Sequence, residues 1–478
     1  MTGIQNHVGL PDAEYLPRST VKERVTRGRE LRRAVPHLRH SSWAPPRARF
    51  DPIAILERQS AERIPELIPI RYGRMASSPF AFYRGAAAVM AADLAGTPVS
   101  GLKAQLCGDA HLMNFGLFET PERTLVFGLN DFDETLPGPV EWDIKRLAAS
   151  FEIAGRTFQL APSEREGAVL TAVRSYREAM LGFAEQRLLE VWYARLPATV
   201  LRDRLATHAG RETSKQVKHV MRKALRRDHL RALDRLIHTV DGELRFISQP
   251  PLLVPVEELL QQDQRARYVE VMRSFLSQYR ECLPPHTRAL VESYRFVHIA
   301  RKVVGVGSVG TRAWVVLLMG KDASDPLVLQ VKEAKRSVLE PYTAPSEYAS
   351  QGRRVVEGQR FMQAASDSML GWYSLVAWDD REHDFYVRQL WDGKASIDID
   401  RLTPAGLREY ADACGWTLAR GHARSGDRLA MAAYLGERDT FDRAIARFAV
   451  AYADVNEADH ARLVDAIDAG RLPALSGI

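Results

Sequence analysis

The chain has 478 residues, 46% apolar and 26% charged, which excludes collagen-like and wholly disordered proteins. Its net charge of +6 is mild for this length and does not by itself imply a nucleic-acid partner. No run reaches the ~18 apolar residues of a membrane span, no secretory signal opens the chain, and Cys107, Cys282 and Cys414 form no CxxC pair, so the cytoplasm is the expected compartment.

Residues 1–50 read as a partly helical lead-in with many arginines. From Asp51 to Leu94 apolar residues recur at helical spacing. Within this stretch Phe80, Phe82, Tyr83 and Arg84 suit either an acceptor pocket or the core. Leu102–Leu106 and Thr124–Leu129 have strand character, and helices dominate from Trp142 to about Leu233. That region includes a basic stretch from Lys215 to Arg231, which has few aromatic residues and is expected to be a solvated face rather than a nucleic-acid site. Glu257–Cys282 is again helical. A β-rich block follows, with strands expected at Tyr294–Val304, Ala313–Met319, Leu327–Val331 and Phe385–Leu390, and a helix at about Ser346–Ala364. The remainder, from Leu402, is helical.

Four constellations carry chemistry. Gly305-Val306-Gly307-Ser308-Val309-Gly310 is a GxGxxG followed by strand-like sequence, which favours a turn between two antiparallel strands folded over phosphates. An ordinary glycine-rich hairpin is the competing account. Lys332 ends an apolar strand and needs a partner if buried. A nucleotide phosphate and Glu357 are the expected ones, ahead of Glu347 and Glu333. In Gly108-Asp109-Ala110-His111-Leu112-Met113-Asn114, Asp109 can accept a proton from an attacking hydroxyl and Asn114 can offer an oxygen to Mg²⁺. In Asp131-Phe132-Asp133-Glu134, Asp131 is the first candidate metal ligand and Asp133 the second. A zinc site of Cys107 and His111 lacks further soft ligands, and no GxSxG supports a serine hydrolase.

Cys107-Gly108-Asp109-Ala110-His111-Leu112-Met113-Asn114 resembles the HGDxHxxN loop of aminoglycoside and choline phosphotransferases, relatives of the protein kinases. Leu129-Asn130-Asp131-Phe132-Asp133 resembles their IDFD metal loop, and Asp143 their loop-supporting aspartate. The resemblance implies Asp109 as catalytic base, Asn114 and Asp131 as Mg²⁺ ligands and Lys332 on the α/β-phosphates, with His111 as the further candidate catalytic residue and Asp133 as the second candidate metal ligand. Cys107 stands where that family has histidine. Longer strings are similar to the bacterial domain-of-unknown-function 2252 family: Arg74–Gly85, Gly108–Gly116, Asn130–Pro139 and Val355–Arg360.

The order differs from that of kinases, because the catalytic and metal loops precede the glycine loop and lysine. Trp416–Arg424 resembles the helix that normally leads into the catalytic loop, yet lies near the C-terminus. The expected fold is therefore α+β, a two-lobed protein-kinase-like fold in permuted order. Residues 51–289 form a helical lobe with both acidic loops, 290–395 a small antiparallel ATP lobe, and 396–478 helices returning to the helical lobe. Gly305, Gly307, Ser308, Gly310, Lys332, Glu357 and the hinge residue Gln389 are expected to hold ATP. The expected activity is ATP- and Mg²⁺-dependent transfer to an unidentified small-molecule or protein hydroxyl. AMP transfer by the same site, or non-catalytic nucleotide sensing or nucleic-acid binding, are the alternatives.

Overall fold

Apolar strands buried on both faces organise the β-rich half of this computed structural model, which describes residues 19–41, 43–46, 48–208, 235–260, 265–303, 305–376, 381–390 and 397–477. The basic stretch Lys215–Arg231 lies outside the described residues, as does Val304. The fold is α+β with antiparallel sheets.

The largest sheet has six strands, in the order Gly371–Val376, Glu382–Gln389, Pro326–Ala334, Ala313–Met319, Arg295–Lys302 and Leu253–Pro255, every neighbouring pair antiparallel. Side chains alternate across it. Val316, Leu318, Leu329 and Val331 face the helix Arg265–Cys282 through Phe275 and Tyr279. Val315, Leu317 and Val328 pack on the other face with Leu236 and Phe246, beside the hairpin of Ile237–Val240 and Glu243–Phe246. With both faces covered, the two central strands read as near-continuous apolar runs. The strand Leu253–Pro255 and the helix Arg265–Cys282, which fall within the 51–289 stretch that the sequence reading groups with the helical lobe, pack with the sheet. A three-residue strand and a helix with one apolar face reveal no such destination in sequence.

The helical half surrounds Val140–Thr157, which is buried along nearly its whole length. Pro162–Glu185, Pro404–Ser425 and Thr440–Asp468 pack around it. Gly415 lets two of these helices touch: a Cβ there would overlap the Ala172 carbonyl. Between Asp51 and Leu94 the helical pattern forms four helices, Pro52–Ser60, Ile68–Ala76, Pro79–Gly85 and Ala87–Leu94. Pro52, Pro69 and Pro79 each sit in a first turn, where a missing N–H costs nothing, and cannot continue a preceding helix. Two small sheets complete this half. Lys103–Leu106 pairs with Leu136–Pro139, and Phe115–Glu119 pairs with Leu125–Leu129. Among the described residues no helix is long and apolar enough to cross a membrane.

Candidate functional site

The two acidic loops are held by groups from distant parts of the chain. Asp143, in the first turn of Val140–Thr157, accepts hydrogen bonds from Cys107 N at 2.6 Å and Gly108 N at 3.0 Å. His422, on Pro404–Ser425, places Nε2 3.3 Å from the same carboxylate, and Tyr176 Oη lies 2.8 Å from its Nδ1. Cys107 itself bridges the loops, its thiol donating to Asp131 O at 3.3 Å.

Gly108 has φ +82°, and a Cβ there would overlap the Glu134 carbonyl. Gly108→Ala should therefore destabilise the protein by more than the ~1 kcal/mol of an unstrained glycine replacement. A melting temperature equal to that of the wild type would show that the loops can part at no cost.

Asp109 faces a buried guanidinium: Arg146 Nε and Nη2 both lie 2.6 Å from its Oδ1. Burial still pushes the Asp109 carboxyl up to about 6, against the pull of Arg146. Asn114 donates its side-chain N–H to Asp109 O at 2.7 Å, which leaves its amide oxygen as the available donor atom. His111 Nε2 lies 3.7 Å from Asp109 Oδ2, and burial beside Arg84 and Arg146 keeps its imidazole neutral.

Lys332 crosses to the second loop. Its Nζ is 2.6 Å from Asp133 Oδ2 and 3.7 Å from Asp131 Oδ1. Tyr386, its register partner on the adjacent strand, donates to Asp133 Oδ1 at 2.6 Å. Burial opposes the ammonium charge, but Asp131 and Asp133 overcome it and raise the lysine above its ordinary range. Asp133 is drawn down, since Lys332 and Tyr386 outweigh its burial.

The lysine's partner is thus Asp133 and not Glu357, which pairs with Arg360 at 3.2 Å. Glu333 pairs with Arg312 and His383, and Glu347 is exposed. On the Glu357 helix it is Arg354 that turns inward, donating to Asp133 O at 2.9 Å and to Thr135 O and Lys335 O at 2.7 Å.

The glycine motif is a turn between antiparallel strands, with Gly305 at φ +64° and Gly310 at φ +88°. Its carbonyls are held from outside. Arg63 donates to Gly307 O at 2.8 Å and Val309 O at 2.5 Å, Arg74 to Gly305 O at 2.5 Å, and Ile64 N to Gly310 O at 2.8 Å. Ser308 Oγ reaches 3.5 Å from Asp133 Oδ2. Gln389 stands apart, its N–H donating to Asp367 Oδ2 at 2.5 Å.

A cavity of about 390 Å³ opens between these groups. Asp109, His111, Asn114, Asp131 and Asp133 line one side, and Gly305, Gly307 and Ser308 the other. Gly310, Lys332, Glu357 and Gln389 do not line it, and Lys332 is buried behind Asp133. Among the described residues no cluster of three or more histidines, cysteines and acids is arranged for a metal. Mg²⁺ needs only one or two carboxylates when phosphates and water complete its shell. Asp131, 35% exposed at its side chain, and the Asn114 amide oxygen fit that requirement. Asp133, with both oxygens engaged by Lys332 and Tyr386, serves as the lysine's anchor.

Arg84, one of the residues the sequence reading offers to an acceptor pocket, lines the cavity, whereas Arg146, Tyr386, Arg63 and Arg74 are site residues that it does not single out. For Arg146 a signal exists: a charge inside the apolar stretch Trp142–Phe151 must find a partner. The others depend on contacts that no local pattern records.

Comparison with curated proteins and with solved structures finds no match. A family profile described as "Uncharacterized protein conserved in bacteria (DUF2252)" matches residues 63–466, a span that contains both acidic loops, the glycine turn, Lys332 and His422. The chain therefore belongs to the bacterial DUF2252 family.

Proposed function

We propose that the chain is an ATP- and Mg²⁺-dependent phosphotransferase acting on a hydroxyl acceptor, with a two-lobed, protein-kinase-like fold in permuted chain order. One observation carries this reading. The 2.6 Å contact between Lys332 and Asp133 joins residues 199 positions apart and sets the buried lysine behind Asp133, which lines a cavity together with Asp109 and the glycine turn. The His422–Asp143 contact supports the permutation, since it returns a C-terminal helix to the loop that begins at Cys107.

Each group then has a role. The glycine turn and Lys332 hold the triphosphate. Asp131 and Asn114 hold Mg²⁺, which when bound neutralises phosphate charge. Asp109 accepts the acceptor's hydroxyl proton while that oxygen bonds to the γ-phosphorus. The bond from the γ-phosphorus to the β–γ bridging oxygen breaks, and ADP leaves. Positioning and charge compensation supply most of the catalysis.

The test is calorimetric titration of ATP with and without Mg²⁺, followed by transfer from γ-labelled ATP to deproteinised cell extract. Binding that depends on Mg²⁺ and a product heavier by one phosphate are expected. A product heavier by one AMP would replace phosphoryl with nucleotidyl transfer, and no ATP binding would reject the reading. The acid limb has a stated direction. A base raised to about 6 is protonated and inactive below that pH, so kcat/KM should rise as pH increases through 6. A profile that is flat there would remove Asp109 from the base role.

A further inference from the structure

The cavity wall near Asp109 carries a guanidinium that pairs with no carboxylate among the described residues. Arg84 lies on this wall, at the end of the short helix Pro79–Gly85. Its helix neighbours Phe80, Phe82 and Tyr83 are core residues, so the aromatic part of this segment is structural, and of its side chains the arginine's reaches the cavity. Among the described residues Arg84 makes no ion pair, and its buried Nε has no hydrogen-bond partner. Arg58, exposed on the same wall, also makes no ion pair among the described residues.

Among the described residues none of the acids on the cavity wall forms an ion pair with Arg84. Asp109 is held by Arg146, Asp133 by Lys332, Glu333 by Arg312 and Glu62 by Lys335. Glu134 accepts from Val338 N at 2.7 Å. Asp131 is the remaining one, and it faces Lys332. Of the other wall cations, Arg63 spends its donors on the glycine turn.

Leaving a guanidinium half-desolvated without a partner costs free energy that a neutral polyol would not return. An anionic group returns it through charge-assisted, often bidentate hydrogen bonds. We propose that the acceptor is a small alcohol that itself carries an anionic group, phosphate or carboxylate, bound by Arg84 with Arg58 at the rim while its hydroxyl meets Asp109. This rests on the phosphotransferase reading and narrows its substrate. Arg84 is then a specificity residue on the acceptor side, and the nucleotide is held without it.

The experiment uses the full chain, γ-labelled ATP and Mg²⁺, and a deproteinised metabolite extract divided on an anion-exchange resin. Label should enter a product only from the resin-retained fraction. Digesting that fraction with phosphatase before the assay separates the two chemistries: lost labelling identifies a phosphate ester, and surviving labelling a carboxylate. With the active fraction, Arg84→Gln should raise the acceptor KM at least about tenfold, whereas the Kd for ATP should move less than about threefold. Label from the neutral flow-through overturns the proposal. So does an Arg84→Gln variant that loses ATP affinity as much as acceptor affinity, because Arg84 would then belong to the triphosphate. Label from neither fraction, with ATP bound, rejects phosphoryl transfer to small molecules and this inference with it. Failure to bind ATP rejects the underlying reading instead.

Discussion

Asp109→Asn should lower kcat by ~10²–10⁴-fold, the usual contribution of a positioned general base, with the Kd for ATP and Mg²⁺ changed by less than about threefold. The substitution preserves shape and removes the proton acceptor. It also leaves Arg146 facing a neutral amide, but that guanidinium keeps other contacts, its Nη1 lying 3.3 Å from Met90 Sδ. Its Nη2 donates to Tyr83 O at 2.9 Å, and it lies 4.2 Å from the Tyr83 ring centroid. The fold should therefore survive, and a melting curve measured alongside the kinetics separates lost chemistry from lost structure. A folded Asp109→Asn protein with wild-type turnover would exclude Asp109 as the base.

Lys332→Met should have two effects. Removing one partner of a buried ion pair costs ~3–5 kcal/mol, because the other charge stays buried and uncompensated. Here the stranded charge is Asp133, with Asp131 behind it. The second effect is a loss of ATP affinity of at least about tenfold, since the phosphates lose their cation. The double variant Lys332→Met with Asp133→Asn distinguishes the two. It should regain much of the stability, because the unpaired carboxylate is gone, yet remain deficient in ATP binding. Stability unchanged in the single variant would mean that water screens the pair. ATP affinity unchanged would place the triphosphate elsewhere.

Local patterns in the sequence disclose much of this site. Asp109, Asn114 and Asp131 are found by their spacing after short strands, and all three line the cavity. The apolar run Ala313–Met319 is a strand over those same residues, and the glycine turn before it joins antiparallel strands, because β-branched and apolar residues without helical periodicity admit little else. The partner of Lys332 is not legible in this way. A buried lysine demands an anion, but its choice of Asp133 over Glu357 depends on which face of Gln351–Met362 turns inward, and Arg354 takes that position. The partner of Gln389 is hidden in the same way. Its strand is evident, yet Asp367, 22 positions earlier, takes its N–H.

What the residues determine alone is chemistry with a short range: which loops carry acids, which strand carries the lysine, where glycines permit a turn, and that the three cysteines are not arranged as a metal site. Tertiary structure decided the pairings, since an ion pair between positions 133 and 332, or a histidine at 422 meeting an aspartate at 143, leaves no trace in neighbouring sequence. The physical reason is that burial makes every charge seek a partner, while the packing of helices and sheet determines which partner lies within about 3 Å.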